Sequence, residues 1–191
     1  INKYIDEEDY VNAKKEFNIV SLRYFKNEQS YERMLINQLL GNFYGTQDQF
    51  KEAIEAYEKA LKYKKLCLIS NLQVRANLAQ SYFITKDFLN VIKTLSAYEE
   101  IALQRGQNFS PFNRIILGLS HYYIENYEVA YNYIKSANDT SLKYNEDWLK
   151  YELSLAYKLE KFNEATELAQ LLIYINPEKK EYWKQLSGLY F

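Results

Sequence analysis

A single imidazole, His121, and a single thiol, Cys67, carry most of the conventional side-chain chemistry open to this chain of 191 residues. A serine or cysteine nucleophile needs a base that a third group holds in place, so every such arrangement here must use His121 or fail. His121 falls where sibling segments carry a packing tyrosine, and it reads as a hydrogen-bonded core histidine. One cysteine excludes an internal disulfide and a multi-cysteine zinc site. Cys67 reads as a small buried hydrophobe.

Carboxylates run together at residues 6–9 (DEED) and at Glu99 and Glu100, and in principle could supply an acid and a base or bind a cation. No convergent pocket is visible in the pattern, so they read as solvated helix or loop groups. There is no glycine-rich phosphate loop, zincin motif or EF-hand loop. The expectation is a chain that is not an enzyme and holds no cofactor and no metal.

Lysines and arginines (24) nearly balance aspartates and glutamates (25), so no field of one sign attracts nucleic acid or an anionic membrane. Hydrophobic residues are 48% of the chain, yet no apolar run is long enough to cross a bilayer, and the chain reads as soluble. Twenty tyrosines and ten phenylalanines beside five glycines and two prolines favour long helices with short connections.

A spacing pattern recurs. Leu40 and Gly41 are followed by Tyr44, Phe50, Ala53, Tyr57 and Ala60; Leu78 and Ala79 by Tyr82, Phe88, Val91, Leu95 and Tyr98; Leu117 and Gly118 by His121, Tyr127, Ala130, Ile134 and Ala137. Phe162, Ala165 and Ala169 repeat the second half of the pattern. Before them Trp148, Leu149, Leu153 and Tyr157 are displaced by about one residue, which predicts a shortened turn near 159–161. Tyr4, Tyr10, Ala13 and Phe17 fit the template backwards. Each unit is expected to be two amphipathic helices joined by a polar turn, with Gly41 letting paired backbones approach. Ser110 before Pro111 marks a helix start, and Asn176 before Pro177 a helix end.

These residues resemble the tetratricopeptide repeat (TPR), whose signature sets Trp, Leu, a small residue and Tyr in the first helix and Ala, an aromatic and Ala afterwards. The run WKQLSGLY places Trp183, Leu186, Ser187 and Tyr190 in those first-helix positions, with Trp183 expected to be buried against the preceding helix. The resemblance implies an all-α, right-handed superhelix of stacked antiparallel helix pairs: a partial repeat at 1–30, repeats at 34–67, 72–105, 111–144 and 146–179, and the first helix of a further repeat at 180–191. The matching positions Ala13, Ala53, Val91, Ala130 and Ala165 lie 40, 38, 39 and 35 residues apart, so most units exceed the usual 34. A narrower likeness, strongest in PEKKEYWKQLSGLYF, is to exported proteobacterial repeat proteins associated with the TonB–ExbB energy-transduction system. It implies a periplasmic adaptor, with a cytoplasmic location as the alternative.

In the family the first helix of each pair lines a concave groove for a protein or peptide partner. Carried over, that groove contains Gln38 and Asn42, then Gln73, Asn77 and Gln80, then Phe112, Tyr122 and Tyr123, then Lys150, Ser154 and Tyr157. Ile115 and Leu119 fit either the groove or packing between units. Gln38 and Ala76 stand where chaperone-binding relatives carry clamp lysines, which argues against a terminal-carboxylate clamp. Two other functions stay open, a peptide-sensing regulatory domain and a helical accessory domain of a larger cell-envelope enzyme. The ends, read as truncated repeats, offer a route to a homodimer.

Overall fold

Small residues placed opposite large ones decide how the helices of this chain pair. In the computed structural model, which describes residues 9–24, 31–62 and 67–190, the described residues form helices and no strand. They divide into two compact units between Gly106 and Gln107. The first holds α1 (Tyr10–Tyr24), α2 (Tyr31–Gly45), α3 (Phe50–Leu61), α4 (Leu68–Ile84) and α5 (Phe88–Gln104). The second holds α6 (Pro111–Tyr123), α7 (Tyr127–Thr140), α8 (Glu146–Lys158), α9 (Phe162–Ile175) and α10 (Lys180–Gly188). Within each unit every helix packs on its neighbour in sequence, and α2 also touches α4. Tyr4 and residues 6–8 lie outside the described residues.

Four helix pairs share one frame, set by the aromatic that opens each second helix: Phe50, Phe88, Tyr127 and Phe162. Three residues beyond it stand Ala53, Val91, Ala130 and Ala165, each fully buried. Nine residues before it stand Gly41, Ala79, Gly118 and Leu153; seven beyond it stand Tyr57, Leu95, Ile134 and Ala169. A Cβ on Gly41 would lie 2.4 Å from the Tyr57 ring, and one on Gly118 2.7 Å from Ile134. Close approach of the first helix thus makes room for a large side chain on the second.

The fourth pair reverses the sizes. Leu153 takes the small position and Ala169 the large one, while Ala156 stands where Tyr44, Tyr82 and His121 stand in the other pairs. This corrects the expectation of a shortened turn. In all four connections the N–H of the residue before the opening aromatic donates to the carbonyl five residues back: Gln49 to Tyr44 (3.0 Å), Asp87 to Tyr82 (2.8 Å), Asn126 to His121 (2.9 Å) and Lys161 to Ala156 (2.9 Å). Each turn also contains one left-handed residue, Asp48, Lys86, Glu125 or Glu160, with φ of 57 to 64°. That is the Schellman way of closing a helix, here without glycine. The turn is unchanged; what departs in the fourth pair is the side-chain pattern of the first helix.

Two further expectations are corrected. Tyr182 is the α10 side chain that packs inward, 2% exposed, whereas Trp183 is 53% exposed and donates from Nε1 to the Pro177 carbonyl at 2.9 Å. Cys67 is exposed at the N-cap of α4, not buried. The helix-start reading at Ser110 holds, since its Oγ accepts from the Asn113 N–H at 3.2 Å.

Candidate binding faces

In the first unit the amides of α2 and α4 meet. Asn42 Oδ1 accepts from the Tyr57 hydroxyl at 2.8 Å and from Asn77 Nδ2 at 3.0 Å. Gln73 Nε2 donates in turn to Asn77 Oδ1 at 3.0 Å, a pairing one helical turn apart on α4. Burial pushes the Tyr57 phenol up to about 12, so at neutral pH it is a fixed donor to Asn42. Gln38, one turn before Asn42, has a buried Oε1 with no hydrogen-bond partner. Gln80 is half-buried on α4. Of the five amides, Asn42, Asn77 and Gln73 are joined in one chain of hydrogen bonds, while Gln38 and Gln80 stand outside it.

This arrangement holds some polar atoms and leaves others available. The Asn42 oxygen takes two donors, so its NH₂ is not used in this chain of hydrogen bonds, and the Gln73 oxygen and the Gln80 amide add acceptors and donors. Neutral amides fixed by their neighbours suit the alternating N–H and C=O groups of an extended polypeptide.

The second unit presents aromatics instead. Phe112, near the start of α6, and Tyr123, at its end, are both 51% exposed. The Tyr122 ring meets Tyr123 edge-on at 5.7 Å and Tyr127 at the same distance. Lys158 Nζ sits 3.7 Å above the Tyr127 ring, an attraction that the family carry-over omitted because Tyr127 served there as a packing residue. Tyr157 donates its hydroxyl to the Gln185 carbonyl at 2.9 Å and so fastens α10, while Lys150 pairs with Asp147 at 2.6 Å. Ser154 is exposed on α8. Ile115 and Leu119 are buried, which settles their reading as packing residues.

His121 is half-buried and stacks on Tyr133, with ring centroids 5.9 Å apart and planes 8° from parallel. Its Nδ1 is buried with no partner, so the hydrogen bond expected of a core histidine is missing at that atom. Burial lowers its pKa and keeps the ring neutral at physiological pH. Among the described residues no three histidine, cysteine or acidic side chains could hold a metal ion, and no helix is long and apolar enough to cross a membrane.

Solved structures with this arrangement of helices include a tetratricopeptide repeat protein from Parabacteroides merdae, which matches all of this chain and 69% of its own at 16% identity and a TM-score of 0.70. A second is YrrB, described as a TPR protein with an unusual peptide-binding site; the match covers 91% of this chain and 81% of that one at 14% identity and a TM-score of 0.67. The fold is the tetratricopeptide-repeat fold. The MamA protein shares it, with 20% identity over 84% of this chain and 82% of its own and a TM-score of 0.69. No family model matches the sequence, and no curated protein matches it. The likeness therefore establishes the all-α, TPR-like fold and leaves function to the side chains.

Proposed function

We propose that this chain is a non-catalytic scaffold that binds an extended segment of another polypeptide. The amides of Gln38, Asn42, Gln73, Asn77 and Gln80 hold that segment's main chain. The observation that supports this reading is the Asn42–Asn77 bond between successive first helices, braced by Tyr57, because it orients amides at low entropic cost before any partner arrives. The second unit, by itself, presents a different face, where the exposed rings of Phe112 and Tyr123 with Tyr122 beside them offer apolar anchors of the kind worth about 2 kcal/mol or more at an interface hot spot.

The test is site-specific photocrosslinking from position 80 of the full-length protein in cells. A discrete polypeptide captured by the parent, and lost when Asn42→Ala and Asn77→Ala are combined, supports the reading. Capture that ignores the double change overturns it.

In a narrower form of this proposal the partner belongs to the TonB–ExbB system and the compartment is the periplasm. Its support is the resemblance of residues 177–191 to exported repeat proteins of that system. Fractionation of the full-length protein tests it, and recovery with the cytoplasm would sink it.

A further inference from the structure

A buried carboxylate breaks the repeat frame in the second unit. Ten residues before the opening aromatic, three pairs carry Leu40, Leu78 and Leu117, and the fourth carries Glu152. Glu152 is 4% exposed. A leucine there would pack at no electrostatic cost, whereas a buried carboxylate loses its hydration and must be repaid by partners. Asn138 Nδ2 donates to Oε2 at 2.7 Å, and among the described residues Oε1 has no donor and the carboxylate has no ion pair. Burial raises the Glu152 pKa, opposed by the Asn138 hydrogen bond and by the charge of Lys135.

This carboxylate opens on a cavity of about 530 Å³ formed by α7, α8, α9 and the connection from α7 to α8. Four carboxylates line it, Asp139, Glu152, Glu164 and Glu167, against two ammonium groups, Lys135 and Lys143. Its apolar wall is built from Leu149, Leu168 and Leu171. Close by, the Tyr131 hydroxyl is a buried polar atom without a partner. Burial first, and then the charges of Glu152 and Glu164, push that phenol up to about 12. A carboxylate oxygen without a donor on the cavity wall, with an unsatisfied buried hydroxyl near it, is more than packing requires, and departures from a local pattern of this kind gather at functional sites.

We propose that this cavity receives an arginine side chain of a partner polypeptide, with the guanidinium on Glu152 Oε1 and the aliphatic stem along Leu149, Leu168 and Leu171. The acids do not converge enough to hold a metal ion among the described residues, but a planar head with five donors can bridge dispersed acceptors. The leucine wall matches a stem of three methylenes, which a bare inorganic cation lacks. The net negative lining supplies the charge complementarity. This site is separate from the α2 and α4 amides and stands whether or not they bind a main chain.

The experiment is a ¹H–¹⁵N NMR titration of the full chain with an alanine pentapeptide carrying one central arginine. Expected are saturable shifts at the amides of Asn138 and Glu152, at least tenfold weaker affinity when arginine is replaced by citrulline, and a similar loss for Glu152→Gln. Should Glu152→Gln fail to fold, Glu167→Lys on the exposed rim reverses the local potential and is expected to weaken the peptide at least tenfold. Equal affinity for the citrulline peptide, shifts confined to other helices, or an unaffected Glu167→Lys protein would each overturn the proposal. Agmatine binding at the same amides as tightly as the peptide would assign the cavity to a free small cation and overturn the polypeptide source.

Discussion

The Tyr182 hydroxyl donates to Glu146 Oε1 across thirty-six positions of chain, and Lys179 Nζ reaches the same oxygen. These contacts tie the first turn of α10 to the start of α8, where a carboxylate also complements the helix N-terminus. The Lys179 hydrogen bond first, and then that of Tyr182, hold the Glu146 carboxyl down to about 2 from an ordinary 4.5. A depressed carboxylate contributes stability that is present above its unfolded value and lost as pH falls through its folded one. Docking of α10 is therefore expected to weaken progressively between about pH 4.5 and about pH 2. Hydrogen exchange across residues 180–188 measures it. A Glu146→Gln protein should lack that acid-dependent step, and an identical profile in both would refute the assignment.

Tyr182 and Trp183 should differ sharply on truncation. Removing the buried Tyr182 ring by Tyr182→Ala is expected to cost about 3–5 kcal/mol in urea unfolding of the second unit. The exposed Trp183 should cost under about 1 kcal/mol on the same change, since it lies at the surface. Reversed magnitudes would place the indole, not the phenol, against α9.

The exchange of sizes between pairs can be tested by transplanting it. Gly41→Leu alone drives a side chain into the Tyr57 ring and should destabilise the first unit by about 1–3 kcal/mol or more. Adding Tyr57→Ala recreates the Leu153 and Ala169 combination of the fourth pair and should recover part of the loss. A double-mutant cycle with zero coupling would show that the two positions do not share the space.

Cys67 offers a chemical check. Its thiol is exposed and its pKa is lowered, first by the Ser70 hydroxyl and then by the Ser70 backbone N–H. Iodoacetamide should alkylate it in the native protein at a rate close to that of a small free thiol, and Ser70→Ala should slow the reaction near neutral pH. A native rate far below the denatured one would mean the thiol is covered.

Helix pairing was legible because the evidence for it repeats. Ala53, Ala130 and Ala165 recur at matched spacing, and each is sealed where two helices meet. The amides Asn42 and Asn77 were legible as face residues because they flank the packing stripe, though their mutual bond was not. The fourth pair was misaligned by one residue because its first helix carries Glu152 and Leu153 where a leucine and a small residue were sought, so the strongest signal pointed one step along the chain. The same type of error put Trp183 inward: Tyr182 and Trp183 are adjacent aromatics about 100° apart on a helix, and the family signature favours tryptophan. Cys67 was misplaced because the usual burial of cysteine says nothing about a residue that caps a helix.

The four left-handed residues Asp48, Lys86, Glu125 and Glu160 share one backbone shape across three side-chain types, acidic and basic. Closure of each hairpin is thus carried by main-chain bonds that any residue able to bear the strain can complete. Acidic and basic groups can be exchanged at each of these turns by mutation without disturbing the angle between the two helices it joins, so every hairpin has a corner on which new surface chemistry can be written while its frame stays constant.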